Sequence, residues 1–438
     1  MFKISEKIFR AYDIRGIYPQ EINADLAFRL GYFFQEFLEK SRLLKSISQN
    51  KKIRIAVNTD HRASSRILKN KLIEGLLKNN FEVLDLGKSS TPMFYFGIKE
   101  TKSDFGIMVT ASHLSQGHNG FKIFDKDITA ISGERIGKFV KLFEGEIKNF
   151  SISKHQTIKE IKLLNKYIKF LLKITNFSKK ELNILKKLKI AVKDSGGVIK
   201  PIFNKLIPRL GLDIKIKSVN KKDSFGVVFD ADGDRVYFVN NFGKVISSDI
   251  IGSFLTEYFL ETRGTNNIIV DERSTKLIRE IASKYKSKVT YCQVGHSYFK
   301  VKMAKKRAIL GIEKASHYYF KDFFYADAGI YAFLSFLKGL VYYQYTLDDV
   351  LKKYQKYANL SEQNFAVKNQ IKNIKIVTKH FKNKAKKISY LDGITMEFLN
   401  WRFNLRPSNT EKFLRLNIEA DNKKILQEKF KELKKIIK

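Results

Sequence analysis

Four polar stretches carry residues whose types and spacing could do chemistry. The run Asp230-Ala231-Asp232-Gly233-Asp234-Arg235 sets three carboxylates at alternate positions. Three such charges repel one another unless a cation sits among them, so the spacing points to a bound metal. A calcium EF-hand fails on this sequence: Arg235 stands where its glycine is needed, and Asn241 where its bidentate glutamate is needed. A solvated acidic turn is the other reading. Against it, Val227-Val228-Phe229 before the run and Val236-Tyr237-Phe238-Val239 after it pin the loop between strands.

The other three stretches complement it. Ser112 lies in Thr110-Ala111-Ser112-His113-Leu114-Ser115-Gln116-Gly117-His118-Asn119-Gly120-Phe121-Lys122, directly behind an apolar run ending at Val109. A serine there can act as a nucleophile, although serine after a strand also serves as a turn residue or helix cap. Neither a G-x-S-x-G elbow nor P-loop spacing is present. In Glu313-Lys314-Ala315-Ser316-His317, Glu313 could accept hydrogen bonds from sugar hydroxyls and His317 could exchange a proton near neutral pH. Arg406-Pro407-Ser408-Asn409-Thr410-Glu411 offers a guanidinium, hydroxyls, an amide and backbone N–H groups, a set that suits a phosphate dianion. A nucleophile, a cation site, a polyol acceptor and a phosphate clamp are the parts of phosphoryl transfer.

The elements that must position these loops are alternating strands and helices. Arg54 to Val57, Phe81 to Leu86, Phe105 to Val109, Lys189 to Val192, Gly226 to Phe229, Asn267 to Val270 and Ile309 to Ile312 read as strands. Ile67 to Lys78, Lys200 to Leu210, Asp249 to Leu260, Thr275 to Ser283 and Asp327 to Leu337 read as helices. The alternation predicts βαβ units with mostly parallel sheets, whose strand ends are where ligands gather. Polar stretches near Glu144 to Lys154, Asn241 to Ser248 and Lys356 to Asn364 divide the chain into three blocks and a tail. In the tail, strands over Phe398 to Leu405 and Phe413 to Ile418 flank the phosphate loop, and a helix closes the chain from Asn422.

Composition sets the frame. At 438 residues the chain needs more than one core, and a hydrophobic fraction of 44% can fill several. Lysine and arginine number 83 against 44 acidic residues, a formal charge of +39. The basic residues follow no single stripe or arm, which argues for chain-wide drift and against nucleic acid as the partner; a share of them could steer a phosphorylated substrate. The single cysteine, Cys292, can form no internal disulfide and suits a reducing, cytoplasmic setting. No secretory signal is visible at the N-terminus. The segment Ala326 to Thr346, interrupted by Asp327 and Lys338, reads as a buried helix and not a membrane span.

With these motifs in hand, the chain resembles the α-D-phosphohexomutase family. Phe9-Arg10-Ala11-Tyr12-Asp13-Ile14-Arg15-Gly16, Asp60-His61-Arg62-Ala63-Ser64 and Thr91-Pro92 are similar to that family's early motifs, and the four loops follow in the family's order. The segments His317 to Asp327 and Phe403 to Glu411 look most like its bacterial phosphomannomutase branch. The resemblance implies an α/β fold of three related α/β domains with mixed, mostly parallel sheets and a smaller C-terminal α+β domain, heart-shaped around a central cleft. The expected divisions are 1–149, 150–246, 247–360 and 361–438.

By matching position, the resemblance makes Ser112 the phosphoserine, and Asp230, Asp232 and Asp234 the magnesium ligands together with a phosphate oxygen on Ser112. Arg15, His113, Lys122 and Arg235 surround the transferring group. Tyr12, Glu313 and Ser316 contact the sugar, and His317 is an acid/base candidate. Arg406, Ser408, Asn409 and Thr410 grip the phosphate that is not transferred, and Arg415 is a further substrate-binding residue. The implied reaction interconverts hexose 6-phosphate and hexose 1-phosphate, with mannose first, glucose second and glucosamine third, through a hexose 1,6-bisphosphate that also serves as activator, in a monomer or homodimer. Leu114-Ser115 replaces the family's Asn-Pro, removing a φ constraint from the serine loop. Ala315 replaces a serine in the sugar loop, and Lys412 replaces a proline after Glu411.

Overall fold

The computed structural model describes residues 3–46, 52–112, 114–147, 158–408 and 413–437. The chain forms two compact units, Met1–Gly243 with Ala326–Leu334, and Lys244–Tyr325 with Ser335–Lys438.

Unit 1 holds two sheets. In the first, Phe105–Val109 is apolar and buried at every position and Arg54–Thr59 is buried at every position after Arg54, while the neighbouring Glu82–Lys88 mixes buried Val83, Leu84 and Leu86 with partly exposed polar residues. Strands covered on both faces read as the first two do and pair in parallel. Phe105–Val109 pairs parallel with Arg54–Thr59 and antiparallel with His118–Asp125, which in turn pairs antiparallel with Ile14–Ile17. The sequence reads as one polar loop from Thr110 to Lys122. The structure starts a strand at His118, because Phe121 and Ile123 alternate into the core while Lys122 faces the site. Aromatic packing fixes the core beneath: Phe34 lies edge-on to Phe81 and Phe105 at centroid distances of 6.1 and 6.0 Å. Each such pair contributes about 0.5–1.5 kcal/mol beyond area burial.

The second sheet of unit 1 has the order Val236–Val239, Phe225–Phe229, Lys189–Asp194, Asp213–Ile216. Its last three strands are parallel and Val236–Val239 is antiparallel. Asp194 ends its strand by accepting from the backbone N–H groups of Gly196, Gly197, Ile199 and Lys200, which satisfies the open N-terminus of the helix Lys200–Leu210.

Unit 2 repeats the pattern. Lys288–Cys292, Asn267–Asp271 and Leu310–Glu313 are parallel, and His317–Phe320 returns antiparallel to Leu310–Glu313. The C-terminal sheet is antiparallel throughout and centres on Trp401–Pro407 and Phe413–Ala420, covered by the helices Gln370–Phe381 and Lys423–Ile436. The segment expected as a buried helix contains the helix Gly329–Tyr343. Among the described residues no helix is long and apolar enough to cross a membrane.

One arrangement recurs in three sheets. A strand with a parallel neighbour on one side runs into a chemically active loop and returns as its antiparallel neighbour on the other. This holds for Phe105–Val109, Phe225–Phe229 and Leu310–Glu313.

Candidate active site

In unit 1 the strand Phe105–Val109 delivers Ser112 three residues past its end. Ser112 is buried and adopts φ +54°, a left-handed conformation that a non-glycine residue holds only when its surroundings over-determine it. Those surroundings are explicit. Its backbone N–H donates to Thr110 Oγ1 at 2.9 Å, and Thr110 Oγ1 donates to Asp60 Oδ2 at 2.8 Å. The buried Arg62 guanidinium, paired with Asp60 at 3.0 Å, donates to the carbonyls of Ser112 at 2.9 Å, Leu114 at 2.5 Å, Ser115 at 2.6 Å and His118 at 3.2 Å. The constraint that Leu114-Ser115 removes from the loop is thus supplied by Arg62 through hydrogen bonds to four carbonyls.

The aspartate loop turns at Gly233, φ +72°, where a Cβ would strike Ile199 at 2.5 Å. The turn brings one carboxylate oxygen from each of Asp230, Asp232 and Asp234 within 4.8 Å of the others. With bonds of ~2.1 Å, neighbouring oxygens of an octahedral magnesium site lie roughly 3 Å apart and opposite ones roughly 4.2 Å, so three oxygens each within 4.8 Å of the others can hold a small divalent cation by drawing together around it. Burial first, then Asp234 and Asp232, pushes the Asp230 carboxyl well above the usual carboxylate range. That is the signature of like charges held together for a cation. Arg235 Nε approaches Asp230 Oδ2 at 3.7 Å, too far for a hydrogen bond, and among the described residues Asp230 Oδ2 is buried without one.

Asp232 joins the two loops. Ser112 Oγ donates to its Oδ1 at 3.3 Å, while Oδ2 accepts from Thr91 Oγ1 at 2.9 Å and Lys122 Nζ at 2.7 Å. Burial raises the Asp232 carboxyl, but Lys122 and the Thr91 hydroxyl more than reverse this and hold it well below the carboxylate range. Burial likewise lowers the Lys122 ammonium, and Asp232 and Asp234 more than restore it, so both partners are charged. The strand that carries Lys122 lies hard against Ile14–Ile17: a Cβ at Gly120 would come 2.0 Å from the Ile14 carbonyl oxygen. Arg15 sits opposite Gly120, oriented by Asp13, whose carboxylate takes its Nε at 3.1 Å. Tyr12 is half-buried in the turn before that strand.

Unit 2 carries the other loops. Glu313 ends its strand directly opposite His317, and both are buried. Ser316 closes the turn at φ +68°. The Tyr319 hydroxyl donates to Glu313 Oε2 at 2.9 Å, and Arg273 Nη2 lies 3.7 Å from Glu313 Oε1. Arg273 is itself paired with Asp271 at 2.8 Å. Arg406 and Arg415 stand opposite each other on paired strands, and Glu362 pairs with both, at 3.4 and 3.2 Å. Arg415 Nη2 donates to Ser408 Oγ at 3.2 Å. His113, Asn409 and Thr410 lie outside the described residues.

Models of the phosphoglucomutase/phosphomannomutase α/β/α domain I, α/β/α domain III and C-terminal domain match residues 6–149, 247–357 and 362–436. The phosphomannomutase of Methanocaldococcus jannaschii is 33% identical over 98% of this chain and 97% of its own. The chain belongs to the phosphoglucomutase/phosphomannomutase family. A solved phosphoglucomutase/phosphomannomutase family protein from Burkholderia thailandensis shares the fold with a TM-score of 0.81 at 24% identity, covering 98% of this chain and 97% of that one. The N-acetylphosphoglucosamine mutase of Aspergillus fumigatus, solved in complex with GlcNAc-6P and magnesium, superposes with a TM-score of 0.56 at 14% identity over 79% of this chain and 92% of its own. Ser112, Lys122 and Arg15 fall within the domain I match. Glu313, Ser316 and His317 fall within the domain III match, and Arg406, Ser408 and Arg415 within the C-terminal match.

Sequence reasoning left four residues of these assemblies without a role. Arg62 and Thr91 stood in recognised motifs with no chemistry attached. Arg273 follows the strand Asn267–Asp271 and so obeys the strand-end rule that located the other loops. Glu362 has no local signal, because its meaning comes from strands more than forty residues later.

Proposed function

We propose that this protein is a phosphohexomutase that interconverts hexose 6-phosphate and hexose 1-phosphate, mannose first, through a phosphorylated Ser112 and a hexose 1,6-bisphosphate. The observation that carries the reading is the junction of Ser112, Asp232 and Lys122: a serine with a left-handed backbone whose hydroxyl is bonded to a carboxylate held ionised inside an acidic cation site. The full-length likeness to phosphomannomutases supports both the reaction class and the order of sugars.

In this reading Asp230, Asp232 and Asp234 hold magnesium, which offsets charge on the transferring phosphoryl group when bound. Lys122 and Arg15 add positive charge beside Ser112, and Arg235 keeps the aspartate loop in register through its N–H to Asp230 Oδ1 at 3.1 Å. Transfer breaks the bond from phosphorus to Ser112 Oγ and forms one to the sugar hydroxyl oxygen, whose proton must leave. His317 is proposed to accept it. Glu313, fixed by Tyr319, accepts from the sugar hydroxyls. Arg406, Ser408 and Arg415, with Asn409 and Thr410, hold the second phosphate. The bisphosphate is the reaction intermediate, and supplied from outside it restores phosphate to Ser112, hence its expected role as activator. A cytoplasmic location completes the reading, resting on the single buried thiol of Cys292.

Protein, magnesium and mannose 1-phosphate with a trace of hexose 1,6-bisphosphate should yield mannose 6-phosphate. Absence of product for mannose, glucose and glucosamine 1-phosphates alike would refute the reading, and the ratio of kcat/KM among the three fixes the preferred sugar.

A further inference from the structure

Arg406 and Arg415 are register partners on adjacent antiparallel strands. Like charges placed directly opposite are destabilising, and Arg406 is buried as well. The structure resolves the conflict with one side chain. Glu362, just ahead of the strand Gln363–Ala366, inserts its carboxylate between the two: Oε1 takes Arg415 at 3.2 Å and Oε2 takes Arg406 at 3.4 Å. Oε2 also accepts from Asn417 Nδ2 at 3.0 Å and faces Arg273 Nη1 at 3.6 Å. Through Arg273 the same carboxylate is linked to Glu313.

Two features separate this arrangement from an ordinary structural ion pair. None of the three guanidiniums is held bidentately by Glu362, and the contacts of 3.2 to 3.6 Å are longer than the ~2.8 Å of a saturated charge-assisted bond. Arg406 Nε, moreover, is buried with no acceptor among the described residues. The arginines therefore keep donors for a further anion while a carboxylate occupies their shared space.

We propose that Glu362 is a resident counter-ion of the phosphate clamp. It holds Arg406, Arg415 and Arg273 in place when no phosphate is bound, and it weakens their grip on a bound phosphate. The inference rests on the phosphosugar reading. In that reading a bisphosphate must leave the clamp and return by its other end, so a clamp of unopposed arginines would hold the ground state too tightly and slow turnover. Glu362 is thus a positioning and affinity-setting residue and takes no part in bond making.

The test compares wild type with Glu362→Gln and Glu362→Asp. Steady-state kinetics use mannose 1-phosphate, and calorimetric titration uses inorganic phosphate. Glu362→Gln is expected to lower KM by roughly 3- to 10-fold, to lower kcat with it, and to bind inorganic phosphate more tightly, whereas Glu362→Asp stays within about twofold of wild type. A KM that is unchanged or raised in Glu362→Gln, or phosphate bound no more tightly, overturns the inference. Should Glu362→Gln fail to fold, Glu362→Ser is read against the same criteria. A wild-type protein that turns over no hexose phosphate would refute the mutase reading alone, and the phosphate titration would still decide the role of Glu362.

Discussion

Ser112 and Asp232, 120 residues apart in sequence, are joined by a hydrogen bond from Oγ to Oδ1 at 3.3 Å. The bond ties the nucleophile loop to the metal loop, and the other oxygen of the same carboxylate anchors Lys122. Nucleophile, cation site and ammonium therefore share one carboxylate, and whatever moves Asp232 moves all three.

Arg62 should control the nucleophile without touching substrate. Its planar fork reaches three carbonyls of the serine loop and that of His118 at the head of the next strand, a pattern that a lysine ammonium cannot reproduce. Arg62→Lys keeps the charge beside Asp60 and loses most of these bonds, at about 1–3 kcal/mol of stability. The expected outcome is a lower melting temperature and a kcat reduced by roughly tenfold or more, with KM for hexose phosphate little changed.

Asp230 should trade stability for metal. Its carboxyl is buried beside two others, so the metal-free protein carries repulsion that a cation relieves. Asp230→Asn is expected to raise stability in the presence of a chelator by about 1–2 kcal/mol, read as a higher melting temperature. The same variant should lose the stabilisation that magnesium gives wild type and most of the activity. Thermal melts with and without magnesium check both halves.

Arg406 offers a cleaner reading of phosphate binding. Its guanidinium is buried on the strand Trp401–Pro407 and its loss removes charge-assisted donors of about 1.5–3 kcal/mol. Arg406→Lys should raise KM for the hexose phosphate by roughly 10- to 100-fold and change kcat less, measured by initial rates over a wide substrate range.

Cys292 gives a test in pH. Burial pushes its thiol up to about 12, against an ordinary value near ~8.5 in the unfolded chain. The native thiol is therefore neutral and inert, and a disulfide reagent at pH 8 should label the protein only after denaturation. The sign for stability follows. Below about pH 8.5 both states hold the proton and the group has no effect. Between about pH 8.5 and about pH 12 only the unfolded state releases it, so stability falls as pH rises. Cys292→Ala should flatten that part of the profile.

Much of this architecture was legible in sequence because periodicity and charge spacing are local. The strand Phe105–Val109 and the helix Lys200–Leu210 match their expected bounds, and Asp230, Asp232 and Asp234 converge as their spacing suggested. Pairing was not legible. Nothing within the serine loop tells that Arg62 braces it, and the run Asn119-Gly120-Phe121-Lys122 resembled a loop until its antiparallel pairing with Ile14–Ile17 made it a strand. Glu362 is the extreme case, since a solvated acid and a counter-ion between two opposed arginines look identical until the strands are paired.

The central claim is that Ser112 carries the phosphoryl group, and peptide mass spectrometry after incubation with magnesium and hexose 1,6-bisphosphate tests it most directly. The account predicts one phosphoryl group on the peptide containing Ser112, lost when hexose 1-phosphate or 6-phosphate is added as acceptor, and absent from an inactive Ser112→Ala. Phosphate found on another residue, or full mutase activity in Ser112→Ala, would contradict it.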